Sequence, residues 1–416
     1  MTISRRDVIK GGIALVSIGT TAQSLLKGAV AFAAAQENAV NPAGAGKILI
    51  LVQLAGGNDG LNTVVPAASG TYRSARRTLA LAEDEVLPLG EGFGLHPGLK
   101  GLKQAWDAGR LAIVQGVGYP NQDYSHFKSM AIWQAGDPEL KLRDGWLGRA
   151  LEKLESSEHD PFLGFNIGNS TPPELQTPAV SVPSVTDPSD YAFKVRGTAA
   201  DMREPRTATL LRLYEEYPAQ SPYGVLLETT AETAVASSAA LAEAGKRYQP
   251  AVPYPETSFG AGLSLMAEAI VGGLGVRVGH VTLGGFDTHT NQAEDHAELM
   301  AALDAGLSAF LADLEAHGRA DDVLVLTWSE FGRRVAENAN GGTDHGAGSV
   351  MFALGTQVRG GLYGETPSLE RLVDNGNLGY TTDFRRVYAT VLDGWLGVPH
   401  EELLGSRWDS LGFVTL

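Results

Sequence analysis

The sequence predicts an α/β fold: a doubly wound, mostly parallel sheet with helices on both faces. Three observations carry this. Residues 48–54 (ILILVQL), 110–117 (RLAIVQGV), 276–285 (VRVGHVTLGG) and 323–328 (VLVLTW) are near-continuous apolar runs, as expected of strands buried on both faces. Between them, apolar residues recur at helical spacing, and strands alternating with helices build parallel sheets. Finally, the residues with chemistry follow the runs or sit in glycine-rich loops, where such sheets present side chains to ligands.

Taken in order, the first strand ends in Gly56-Gly57-Asn58-Asp59, which reads either as a ligand loop or as a glycine turn whose Asn58 and Asp59 satisfy backbone groups. Leu99, Leu102 and Trp106 predict a helix before the second strand. After that strand comes GYPNQDYSHFKSMAIWQAG, with a helix starting near residues 123–125. Ser125 at that helix start is a nucleophile candidate, because free N–H groups and the helix dipole favour an anion there. It reads equally as an N-cap, and His126 as a buried, satisfied histidine.

Residues 160–167 (DPFLGFNI) form a further strand candidate, and residues 168–188, rich in Pro, Ser and Thr, a long surface loop. The alanine-rich stretch to Tyr248, with paired acids Glu215 and Glu216, makes residues 187–258 a helical insertion or cap within a single domain spanning 46–416. Leu263, Ala267, Ile270, Val271 and Leu274 then mark a helix before the next strand. A second runs through Leu299, Met300, Leu303, Leu307, Phe310, Leu311 and Leu314. Residues 383–396 close the chain with another.

Composition narrows the function. A net charge of −16 over 416 residues disfavours nucleic acid or an anionic membrane as the main partner. The absence of cysteine excludes disulfides, thiolate zinc sites, iron–sulfur clusters and a cysteine nucleophile. Residues 4–10 (SRRDVIK), followed by a weakly apolar stretch to Leu26, resemble a twin-arginine export signal with cleavage after Ala33 or Ala35. The expected leader is residues 1–35, the export machinery an expected partner, and the location periplasmic or extracellular. Gly, Thr, Ser and Gln interrupt the apolar run short of the ~20 residues a membrane span needs.

The densest chemistry lies between Gly284 and Gly355, in GGFDTHTNQ, TWSEFGRR and GGTDHGAGSV. Parallel strands share one carboxyl edge, so Asp59, Asp287, His289 and Glu330 should converge there with Ser125, and Asp344 and His345 come from the loop beyond. Carboxylates gathered in one cleft repel unless a cation neutralises them, and oxygen with imidazole ligands suits Zn²⁺, Mn²⁺ or Mg²⁺. Arg333 and Arg334 read either as a clamp on an anionic substrate or as a solvated helix start.

Over its mature length the chain resembles the exported bacterial proteins of domain-of-unknown-function family 1501. The resemblance is carried by LAGGNDGLNT, YSHF, GGFDTHTNQ, TWSEFGRR, GGTDHG and TTDFRRVYATVL. That family is placed in the alkaline phosphatase superfamily, with phosphatases, sulfatases and cofactor-independent phosphoglycerate mutases. The resemblance implies an alkaline-phosphatase-like core, one or two metal ions and a nucleophilic hydroxyl. By position it implies Ser125 as nucleophile and Asp59, Asp287 with His289, and His345 as metal ligands; Glu330 and Asp344 are further candidate ligands, and Asn58, His126 and Arg333 candidates against the substrate. Two departures stand out. The Asp-x-His spacing is shorter than the superfamily's, leaving His296 as an alternative to His289, and Glu330-Phe331 stands where the superfamily has Asp-His. A formylglycine sulfatase is disfavoured, since Ser125 lacks the Pro or Ala and the Arg that should follow it.

Two functions emerge: an exported, metal-dependent hydrolase of phosphate or similar anionic esters, acting on a small or envelope-derived substrate, or a non-catalytic fold relative that binds a cell-envelope glycan or a partner protein.

Overall fold

A computed structural model describes residues 46–155, 162–187, 209, 212–214, 222–374 and 376–414. The expected leader, Glu215, Glu216 and much of the 187–258 insertion lie outside the described residues.

The strands in chain order are β1 (Ile48–Ala55), β2 (Val64–Val65), β3 (Leu87–Gly90), β4 (Phe93–Leu95), β5 (Leu111–Gly118), β6 (Gly164–Ile167), β7 (Ser184–Val185), β8 (Val278–Gly284), β9 (Val323–Trp328), β10 (Ser349–Leu354), β11 (Gly361–Tyr363) and β12 (Thr382–Asp383). The helices are α1 (Gly60–Thr63), α2 (Gly70–Ala75), α3 (Lys100–Asp107), α4 (His126–Ala135), α5 (Trp146–Leu154), α6 (Pro222–Arg247), α7 (Ser258–Val271), α8 (Gln292–Ala316), α9 (Phe384–Val391) and α10 (His400–Leu404).

The main sheet runs β11-β5-β10-β9-β1-β8-β6-β7, with β12 beside β5. All neighbours are parallel except β10, which runs antiparallel to β5 and β9. The fold is thus the predicted doubly wound, mostly parallel sheet, with one reversed strand that periodicity did not reveal. Two reversals restore direction, so β1, β5, β8 and β9 end on the same edge and β10 begins there. That brings the loop before β10 to the same rim.

Side chains alternate across a strand, and β1 shows the consequence. Ile48, Ile50, Val52 and Leu54 enter one core with residues of α3, α7 and α8, whereas Leu49 and Leu51 enter the opposite core with residues of α4, α5 and α9. Both layers are apolar, which is why the strand reads as a continuous run. Ala240, Leu241 and Ala244 of α6 join the first core.

Three local expectations need correction. A second, three-stranded sheet, β2-β4-β3, occupies a region assigned no strands, because its segments are too short to show a period. The 168–188 loop contributes β7 at the sheet edge. The closing helix changes to a π turn at Leu392–Leu396 and ends at Gly397, whose φ of 70° suits glycine. Among the described residues, no helix is long and apolar enough to cross a membrane.

Candidate metal centre

Four loops deliver side chains to the rim. Asp287 and His289 follow β8, Glu330 and Arg333 follow β9, Asp344 and His345 precede β10, and Ser125 and His126 open α4. Ligand atoms of His126, Asp287 and His345 all lie within 4.8 Å of one another.

The protons of this group can be placed by its acceptors. His345 Nδ1 lies 2.8 Å from the Tyr124 carbonyl, which can only accept, so Nδ1 carries the hydrogen. By the same reasoning His126 Nδ1 donates to Glu330 Oε1 at 2.8 Å. Both rings therefore turn their other nitrogen, Nε2, toward Asp287, at 3.1 Å for His345 and 3.5 Å for His126. His289 Nε2 stands 3.0 Å from His345 Nε2 and 3.1 Å from Asp287 Oδ1. Lone pairs facing a carboxylate repel unless a proton or a cation lies between them. The donor set, imidazole nitrogens and a carboxylate with their outer hydrogens already bonded, fits a divalent ion.

Asp287 is well suited to that role. Partial burial pushes its carboxyl up, but the hydrogen bond and charge of Arg333, the chief opposing influences, bring it down to about 2. Burial, the largest influence on His345, holds its imidazole below the ordinary value and keeps Nε2 bare near neutral pH. Phe331 forms the floor: its ring centroid lies 4.4 Å from that of His345 and 4.9 Å from that of His126.

Several expected ligands are placed elsewhere. Glu330 is buried, and its carboxylate accepts from the Gly56 N–H at 3.0 Å as well as from His126, so it orients a ligand instead of being one. Glu330→Gln should therefore weaken metal binding about 10- to 100-fold, read by competition with a chelating dye; an unchanged affinity would remove Glu330 from this role. Asp344 lies at the margin, its Oδ1 3.6 Å from His289 Nδ1.

Asp59 does not join the group. Its buried carboxylate accepts from Arg76 Nη1 at 2.5 Å, from the Leu61 N–H at 3.2 Å and from Gln292 Nε2. Asn58 is likewise enclosed: its Oδ1 takes bonds from Thr63 Oγ1 at 3.1 Å and His296 Nε2 at 3.2 Å. That leaves His296 bound inside the same hub, not substituting for His289. Arg333 is buried too. Its guanidinium bonds the carbonyls of Gly56, Gly57, Phe286 and Thr343 and holds Asp287 Oδ1 at 2.7 Å, so no face is left for a substrate. Its neighbour Arg334 is half-buried, its enclosed Nε has no hydrogen-bond partner, and its charge acts on Tyr124.

Ser125 is exposed and begins α4, yet its hydroxyl makes no capping bond. Its backbone N–H donates to Asp123 Oδ1 at 2.8 Å. Between Tyr124, which fixes His345, and His126, it stands next to the cluster with a free hydroxyl. Sequence reasoning missed Arg76, the Tyr124 carbonyl and the Phe331 floor. His126 was assigned to substrate and sits among the ligands; its place beside Ser125 was the signal.

The hub beneath the rim also sets acid stability. Burial lowers His96 to about 4 and His296 to about 3. The unfolded chain, with histidines near 6.5, binds protons more readily below that pH, so stability falls as pH drops from 6.5 toward 4. Asp59 has the same sign, because Arg76 outweighs its burial and lowers it. The urea midpoint should fall steadily between pH 7 and pH 4.5, less so in His296→Gln; equal midpoints across that window would contradict the assignment.

A family profile described as "Protein of unknown function (DUF1501)" matches residues 109–406. No curated protein matches the sequence. Similar solved structures include PsFucS1 sulfatase from Pseudoalteromonas sp., 11% identical with a TM-score of 0.41 over 97% of this chain and 78% of that one. The lipoteichoic acid synthase LtaP from Listeria monocytogenes is 10% identical, with a TM-score of 0.36 over 91% and 78%. Phosphonate monoester hydrolase SpPMH from Silicibacter pomeroyi is 12% identical, with a TM-score of 0.34 over 87% and 77%.

Proposed function

This chain belongs to the DUF1501 family of proteins of unknown function, and from the side chains its fold assembles we propose that it is an exported, metal-dependent hydrolase of phosphate or similar anionic esters. The observation that carries this reading is the convergence of His126 Nε2 and His345 Nε2 on the Asp287 carboxylate, with Ser125, whose hydroxyl makes no capping bond, directly before His126 in the chain. The motif resemblance to the alkaline phosphatase superfamily supports it, as does a leader-like start with paired arginines.

His126, Asp287 and His345 would hold one divalent ion, with His289 beside them. Such an ion supplies Lewis-acid polarisation of the ester and favours the alkoxide form of a nearby hydroxyl. The chain's own groups do the rest. Glu330 and Tyr124 orient the imidazoles, Arg333 fixes Asp287, and Arg334 offers a guanidinium to the anionic oxygens. Ser125 Oγ bonds to the central atom of the ester while the alcohol leaves with the hydroxyl proton; water then cleaves the seryl ester, releasing the acid and restoring Ser125. Of the one or two ions expected, this reading takes one, because Asp59 already has its cation in Arg76 and an apolar ring occupies position 331.

Metal analysis of the purified protein, followed by phosphomonoester, phosphodiester and sulfate ester screens, tests this. Bound metal with chelator-sensitive turnover is expected; a metal-free protein inert toward all three classes, even with ions added, overturns it. Phe331, where the superfamily carries an imidazole, favours the second reading of a binding protein without turnover, which predicts metal or ligand binding and no hydrolysis.

A further inference from the structure

We infer that the substrate is amphiphilic: an anionic ester seated at Ser125, with an apolar group of the same molecule lying across Phe127 and the 372–380 segment. This rests on the hydrolase reading above and names its substrate class.

Six large apolar side chains are exposed among the described residues, and four of them, Phe127, Leu372, Val373 and Tyr380, lie on two segments that meet beside the cluster. Phe127, at 85%, is the most exposed of the six, and it directly follows His126. Tyr124 joins the segments: its hydroxyl donates to Asp374 Oδ2 at 2.9 Å and accepts from Asn377 Nδ2 at 2.9 Å. Tyr380 packs against the loop entering α4, since a Cβ placed on Gly118 would lie 2.7 Å from Tyr380 Cβ and 3.7 Å from Gln122 Oε1. The same Tyr124 holds His345 through its carbonyl. One residue thus ties the apolar rim to the ligand group.

Apolar residues scattered singly over a surface are ordinary, whereas a concentration of them at a reactive centre marks a binding area. Its occupant is a part of the substrate, because Phe127 follows Ser125 by two residues, and Tyr124, one residue before Ser125, bonds Asp374 and Asn377, which lie between Val373 and Tyr380. A purely ionic ester would use Arg334 and leave Phe127 facing water.

Calorimetry of octyl phosphate and methyl phosphate binding to the full chain, supplied with the divalent ion that metal analysis identifies, tests this. Octyl phosphate should bind at least about tenfold tighter, the gain expected from burying only two of its extra methylenes. Inorganic phosphate should displace it. Phe127→Ser, at an exposed position that the fold does not need, should weaken octyl phosphate about fivefold and narrow the ratio between the two ligands. Equal affinities, or a ratio unchanged in Phe127→Ser, would overturn the amphiphilic substrate and leave the hydrolase standing. If neither alkyl phosphate binds, this inference falls, while the hydrolase reading is decided by the three ester screens.

Discussion

Replacing Ser125 by alanine should lower turnover of any responsive ester by about 10,000-fold or more, the scale seen when a hydroxyl nucleophile is removed. Metal content and folding should not change, because the hydroxyl makes no capping bond and the side chain is exposed. The pairing of outcomes is what discriminates. His345→Ala should remove metal and turnover together, since it deletes an imidazole whose Nε2 faces Asp287 at 3.1 Å. Elemental analysis beside steady-state kinetics separates the two effects. A Ser125→Ala protein that retains most of its activity would show that the nucleophile lies elsewhere, with water the first alternative. A His345→Ala protein with full metal content would dismiss the proposed ligand set.

A comparably large effect is expected on stability at Arg76. The Arg76–Asp59 pair is fully enclosed, with both side chains at 0% exposure and 2.5 Å apart. Arg76 also bonds Asn62 Oδ1 at 2.7 Å and the carbonyls of Val335 and Arg334 at 3.0 and 2.9 Å. Removing one partner of such a pair leaves an uncompensated buried charge, so Arg76→Met should cost about 3–5 kcal/mol in urea denaturation at neutral pH. That is a large share of the ~5–15 kcal/mol that stabilises a typical domain. Adding Asp59→Asn should recover much of the loss, because the orphaned charge is gone. Were Asp59 a metal ligand instead, the double variant would lose bound metal; the geometry here predicts that it keeps its metal.

The two effects belong to two layers of one rim. Ser125, His126, Asp287 and His345 are exposed or half-buried at the rim, while Asp59, Arg76, Gln292 and Thr343 are buried behind it. Thr343 Oγ1 donates to Gln292 Oε1 at 2.6 Å, and the Thr343 carbonyl receives Arg333 Nη1 at 2.9 Å. Acid that protonates His96 and His296 acts on the bracing layer, so its effect appears in stability.

The sequence by itself determined the doubly wound sheet, where β1, β5, β8 and β9 lie along the chain, and the edge at which Asp287, His289 and His345 meet. It could do so because strands buried on both faces are uniformly apolar, and parallel strands end on one side. The short strands of the second sheet, the reversal of β10 and the pairing of Asp59 with Arg76 were decided only in three dimensions. Asp59 shows why. A carboxylate after a strand reads the same whether its counter-charge is a metal ion or a guanidinium 17 residues away, and local pattern contains neither partner nor distance. Arg333 and Arg334 make the same point side by side: two identical side chains, one enclosed by four carbonyls and Asp287, the other left with a bare Nε. Burial, which is a property of the whole packed chain, gave the first a purely structural place and left the second half-buried.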